Sequence, residues 1–139
     1  MKDKLNIIVM SGTVDKLLAM ATIVSGAVAM GKEVKLFVTF WGLMAFKKGA
    51  WQDPSQQRLP AEYQEFGPMM QERMQSMGIN PWMQTLKTAK ELGEIEIYSC
   101  SMTQDMFGMK MDDLEDIVDG EKGVAGFIAM CDGAEVLVF

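Results

Sequence analysis

The chain contains no histidine and only two cysteines among its 139 residues, and these scarcities exclude much of enzyme chemistry. Without histidine there is no Ser-His-Asp or Cys-His catalysis within one chain, and no imidazole to ligate zinc or iron. Two cysteines cannot furnish a four-cysteine zinc or iron–sulfur site in a monomer. What remains is carboxylate, lysine, tyrosine or thiol chemistry. Charge of one sign is never concentrated into a block. The net charge of −6 argues against a nucleic-acid surface and against a basic patch for anionic lipid. The apolar stretch LLAMATIVSGAVAM (17–30) is shorter than the roughly 20 residues a membrane-spanning helix needs. The apolar run Leu5 to Met10 is interrupted by Asn6 and is short for the core of a signal peptide. A cytoplasmic protein with no integral membrane span is therefore expected. Its cysteines are read as thiols rather than as a disulfide.

Hydrophobic residues make up 49% of the chain and charged residues 23%, which fits one globular domain large enough to bury a core. Lys4 to Met10 reads as a first strand, nearly continuous in apolar residues and so buried on both faces. Ser11-Gly12-Thr13 makes a turn, and a helix follows from about Val14 to Met30. Asp15 sits in its first turn, where the helix dipole favours a carboxylate, and Gly31 ends it. The helix is apolar nearly all round and must be covered twice, by the sheet and by a second layer. Another subunit is the expected second cover, so a homo-oligomer is expected. Glu33 to Phe40 is the second strand. All four prolines, Pro54, Pro60, Pro68 and Pro81, fall in a methionine-rich stretch at 51–81, read as a partly helical insertion or lid. A helix over Trp82 to Leu92 feeds a third strand, Glu94 to Ser99. A short helix follows Cys100, another spans about Glu121 to Cys131, and Glu135 to Phe139 forms the last strand. Strands alternating with helices give an α/β domain around a mostly parallel sheet.

In such a sheet, ligands sit beyond the carboxyl ends of the strands. Those ends bring Ser11-Gly12-Thr13, Trp41-Gly42 and Cys100-Ser101 to one rim. A cysteine capping the helix that follows it lies near unpaired backbone N–H groups, which stabilise the thiolate. The plainer reading makes Cys100 a small apolar residue completing the strand. Cys131 follows Val124, Phe127 and Ile128 at helical spacing and reads as a packing residue. A disulfide with Cys100 would require α-carbons within about 7 Å. The SGT turn could receive an anion at a helix N-terminus, but it lacks the spacing of a nucleotide fingerprint. Met69, Met70, Met74 and Met77, and Met102, Met106, Met109 and Met111, form soft clusters. Adaptable packing explains these without copper(I).

Three runs carry a family resemblance: SGTVDKLLAM (11–20), GKEVKLFVTFWGL (31–43) and YSCSMTQDMFGMKMDDLEDIVDG (98–120). Together they resemble the DsrE/DsrF-like proteins, in particular a sulfurtransferase-like branch also labelled peroxiredoxin-like. The likeness runs nearly end to end and is weakest between 51 and 81. It rests most on TFWGL and on Cys-x-Met-x-x-Asp-x-x-Gly from Cys100 to Gly108. The resemblance implies a single three-layer α/β domain over 1–139, in a small cytoplasmic protein that is typically oligomeric. It also implies that the cysteine after the third strand, here Cys100, carries sulfur as a persulfide or related adduct. Cys131 matches no motif of that family.

The expectation is a sulfur carrier or sulfurtransferase with Cys100 as its catalytic thiolate. Ser11, Gly12, Thr13, Trp41, Gly42, Ser101, Met102 and Thr103 are the expected substrate-binding residues, and neither metal nor cofactor is called for. Sulfur donor and acceptor proteins, or small sulfane-sulfur compounds, are the expected partners. Two rival expectations are a flavin- or nucleotide-binding module using the same rim, and a non-catalytic oligomeric scaffold in which Cys100 is buried and unreactive.

Overall fold

The computed structural model describes residues 2–139. Its elements are β1 (Lys4–Val9), α1 (Val14–Ala29), β2 (Glu33–Val38), α2 (Phe40–Met44), α3 (Gly67–Ser76), α4 (Trp82–Leu92), β3 (Ile95–Cys100), α5 (Ser101–Met106), β4 (Gly120–Lys122), α6 (Val124–Ala129) and β5 (Ala134–Val138), with short 3-10 turns between them. The five strands form one sheet in the order β4-β3-β2-β1-β5, and every pairing is parallel. Helices flank this sheet, as the alternation of strands and helices in the sequence requires.

Alternation along the strands divides the apolar residues between two unequal faces. Leu5, Ile7, Val9, Val34, Leu36, Val38, Ile95 and Ile97 join the main core with α1 and α4, which contribute Leu17, Met20, Ala21 and Val24, and Trp82, Met83, Leu86 and Ala89. A second cover of α1 is supplied by α4 of the same chain. The reason is that α4 presents a narrow apolar stripe to α1, leaving Ile23 among the few large apolar side chains of α1 turned outward. The opposite face is thinner. Phe37, Cys100 and Phe127 form a small separate cluster there, with Ile8, Tyr98 and Cys131 packed against it.

Three local expectations differ from the structure. β2 ends at Val38 rather than Phe40, and Phe40, whose φ is 48°, turns the chain into α2. The helix expected over 121–131 is interrupted, since Gly120–Lys122 pairs with β3 through Tyr98↔Gly120, Ser99↔Glu121 and Cys100↔Lys122. That tertiary pairing outweighs local helical preference. Finally, Cys100 is itself the last residue of β3. In the 51–81 stretch, Pro68 lies in the first turn of α3, where its missing N–H costs nothing. No residue from 51 to 80 is buried.

The turns after β1 and β2 lie in direct backbone contact. A Cβ on Gly12 would stand 2.4 Å from the Trp41 carbonyl oxygen, and one on Gly42 2.3 Å from that of Val9. Both glycines are thus required by close approach. Gly42→Ala is expected to lower stability by about 1–3 kcal/mol, the usual cost of overpacking, as measured by urea denaturation.

Candidate functional site

Cys100 ends β3 in extended conformation, φ −74° and ψ 116°, and α5 begins at the next residue. Its side chain leaves the sheet on the thin face, and its exposure is 0%. The register Phe37↔Tyr98 and Val38↔Ser99 brings Thr39 opposite Cys100, one step further along the strands. Thr103, one turn into α5, is fully buried beside them.

The Thr39 and Thr103 hydroxyl oxygens are 3.0 Å apart, and the Phe40 N–H donates to Thr103 Oγ1 at 3.1 Å. One hydroxyl proton can serve the pair while the other serves the sulfur. Two arrangements satisfy both hydroxyls: Thr39 donates to Thr103 and Thr103 to Cys100, or Thr103 donates to Thr39 and Thr39 to Cys100. Such a chain strengthens its last link by polarisation. Burial is the largest influence on the thiol and pushes its pKa up. Hydrogen bonding from the Thr39–Thr103 hydroxyl pair and from the Thr103 and Met102 amides together outweighs it, so Cys100 titrates below its ordinary 9.0. A thiol pKa lower in the folded chain adds stability that is complete above the unfolded value and is lost as pH falls through the folded one. Tyr98, by contrast, donates to Glu96 at 2.6 Å and is pushed up to about 12, so it stays neutral and is no base near neutral pH.

Phe40 holds a backbone conformation rare for a bulky residue. Thr103 fixes that turn by accepting its N–H, so the group that serves the sulfur also holds the chain reversal. Thr103→Val is expected to raise the pH at which Cys100 becomes reactive. It should also slow alkylation at neutral pH by about tenfold, the scale of one hydrogen bond to a charged group. A pH profile of iodoacetamide labelling checks this.

The expected site residues do not share one cavity. Ser11, Gly12, Thr13 and Trp41 line a cleft of about 290 Å³ on the rim, together with Trp51, Arg58 and Trp82. Cys100 is absent from that lining. Gly42 is packed beneath the Val9 carbonyl. Met102 turns its side chain to the thin face, where it borders an apolar groove of about 170 Å³ with Met10, Phe40, Val124, Phe127 and Ile128. Ser101 lies near Gly123, whose added Cβ would meet its hydroxyl at 3.9 Å. The partners of the sulfur include two that the sequence reading overlooked, Thr39 and the Phe37–Phe127 stack. Strand parity could have found both Thr39 and Phe37, since they lie on the same face as Cys100.

Cys131 lies just past α6 and is half-buried. It accepts a hydrogen bond from the Asn6 side-chain amide at 3.3 Å and donates to the Phe127 carbonyl at 3.5 Å. The apolar face it was expected to share is mostly outward, with Val124 and Ile128 exposed and only Phe127 buried in α6. Both cysteines are free. Among the described residues, no group of three or more aspartate, glutamate or cysteine side chains could hold a metal. Likewise, none of their helices is long and apolar enough to cross a membrane.

Comparison with known proteins matches a family model described as DsrE/DsrF/DrsH-like to residues 1–66 and 60–139. The chain is 26% identical to the sulfur carrier protein DsrE2 of Allochromatium vinosum over 158 residues, covering 98% of this chain and 97% of that protein. It is 29% identical over 159 residues to the uncharacterized protein YrkE of Bacillus subtilis, covering 96% of this chain and 94% of that protein. Among solved structures, the protein of unknown function MTH1491 from Methanobacterium thermoautotrophicum superposes with a TM-score of 0.62 at 13% identity, covering 99% of this chain and all of that one. The ychN protein of E. coli does so with a TM-score of 0.55 at 16% identity, with both chains fully covered. These two likenesses bear on the fold.

Proposed function

Because the chain belongs to the DsrE/DsrF/DrsH-like family, and that family and the DsrE2 likeness support a sulfur-related role, we propose that it is a sulfur carrier or sulfurtransferase working through Cys100. The observation that carries this reading is the set of donors around one buried thiol, a hydrogen-bonded pair of threonine hydroxyls and two amides, which lowers its pKa against the effect of burial. The thiolate attacks the terminal sulfur of a persulfide or polysulfide donor. A Cys100 sulfur–sulfur bond forms, the donor's sulfur–sulfur bond breaks, and the donor leaves as a thiolate. An acceptor thiolate then attacks the outer sulfur, and Cys100 departs as the thiolate its hydrogen bonds stabilise. The sulfane sulfur moves without net oxidation or reduction, and the chemistry calls on neither a metal nor an organic cofactor. In this reading Ser101, Met102 and Thr103, which follow Cys100 directly in the chain, contact the transferred sulfur.

Access to the sulfur requires α6 to move. That helix has six residues, and Phe127 is its single buried side chain. Around it Met10, Met102, Met106, Val124, Ile128 and Val138 are exposed, an apolar surface suited to a partner or a second copy of the chain. A homo-oligomer formed there would cover the same thin face.

The scaffold reading draws support from one observation, the complete burial of Cys100. Intact-protein mass after exposure to polysulfide or thiosulfate separates the two. A reducible gain of whole sulfur atoms supports the carrier, whereas an unchanged mass with Cys100 inert to thiol reagents supports the scaffold.

A further inference from the structure

The rim cleft holds features that sulfur chemistry at Cys100 does not use. All three tryptophans of the chain, Trp41, Trp51 and Trp82, line it. It lies beyond the carboxyl ends of β1 and β2. Ligands of open parallel sheets bind beyond the carboxyl ends of the strands. Although the chain carries 19 acidic residues, none lines this cleft, and Arg58 is its one charged residue. Arg58 is held in place by its own backbone, since its carbonyl accepts the Val14 N–H at 2.8 Å. It forms no ion pair with any described residue. The Ser11 and Thr13 hydroxyls, 3.1 Å from each other, line the same cleft. The Trp51 indole nitrogen is buried with no hydrogen-bond partner, an arrangement uncommon in folded proteins.

We infer that this cleft binds a small planar organic anion, an aromatic ring carrying a carboxylate, independently of Cys100. The indole rings supply flat apolar walls for the ring. The Arg58 guanidinium supplies the fork that a carboxylate matches in two hydrogen bonds, and the serine and threonine hydroxyls add donors. At about 290 Å³ the cleft is at the lower end of ligand pockets, which run from roughly 300 to 1,000 Å³. It has room for one ring system and its charged group, but not for a dinucleotide. Carboxylate selectivity follows from charge: in a chain of net charge −6, an anion is tolerated only where the acidic side chains are kept away, and here they are.

The test is titration of the ¹⁵N-labelled protein with benzoate, following the three indole N–H signals, each assigned by its Trp→Phe variant. Saturable shifts of the cleft signals are expected with benzoate. Benzyl alcohol, of the same shape without the charge, should bind at least tenfold more weakly. Arg58→Gln should weaken benzoate by about tenfold or more, the scale of a charged hydrogen bond. Arg58 is exposed, so the variant is expected to fold, and its unperturbed spectrum without ligand would confirm this. Cys100→Ser should bind benzoate as wild type does, which keeps this result separate from the fate of the sulfur reading. Absence of saturable shifts, equal binding of benzyl alcohol, or undiminished binding by Arg58→Gln would each overturn the assignment.

Discussion

Cys100→Ser is expected to take up no sulfur from polysulfide, while Cys131→Ser takes up as much as the wild type. The reasoning begins with what replacing one atom removes. A serine hydroxyl in the same place keeps the volume and the hydrogen bonds to Thr39 and Thr103, so the fold should be little disturbed. It lacks an atom that ionises near neutral pH and attacks sulfur, so the chemistry should be lost outright and not merely slowed. Cys131 serves as the internal control. Its sulfur lies between the Asn6 amide and the Phe127 carbonyl at the end of α6, bonded to both, and it packs at the margin of the small cluster instead of among the donors that surround Cys100. Intact mass before and after reduction reads the outcome directly. Loss of the adduct in Cys131→Ser as well would instead mean that the two cysteines act as a pair. An unmodified wild type would leave the scaffold reading standing.

The arrangement behind this prediction was only partly legible in the sequence. Local chemistry announced β1, α1, β2 and α4: their apolar periodicities are strong, and turn residues such as Gly31 mark their ends. The strand-end cysteine was legible for the same reason, because alternation stops there. Three tertiary facts were not. β4 is three residues long and exists only because β3 offers it an edge, so its residues Gly120–Lys122 carry no strand signal of their own. The second layer over α1 could not be assigned to α4 from composition, since an apolar helix states that it needs a cover but not which cover. The division of the rim was also hidden. Strand ends converge on a rim in any parallel sheet, yet the tryptophan cleft is lined from the side of α1 and α4 while Cys100 leaves the sheet on the other face. What could have been read is parity: Thr39 and Phe37 stand on the Cys100 face by simple alternation from the pairing of β2 with β3.

Phe127→Ala is expected to destabilise the protein by about 3–5 kcal/mol, the range for removing a buried aromatic side chain. It should also raise the rate of Cys100 alkylation in the native state by 100-fold or more, since each 1.4 kcal/mol is about a factor of ten. The two effects arise from one contact. Phe127 stacks on Phe37 with ring centroids 4.8 Å apart and planes inclined by 17°, and it is the only side chain of α6 that is buried. A six-residue helix held by one ring has little else to oppose its local opening, and local openings can lie far below the global unfolding free energy. Leu86→Ala supplies the comparison. Leu86 is equally buried, but in α4 on the opposite face of the sheet, and its loss should cost about 2–5 kcal/mol without loosening α6. If Cys100 is reached by movement of α6, Phe127→Ala accelerates labelling far more than Leu86→Ala at matched loss of stability. If labelling instead follows global stability in both variants, the thiol is reached only by unfolding, and the carrier mechanism loses its entrance. The same gate bears on the loaded state. A persulfide formed on Cys100 would lie beneath Phe127 and be shielded from stray thiols, so under the carrier reading Phe127→Ala should shed bound sulfur to added glutathione faster than wild type, while accepting sulfur at least as quickly.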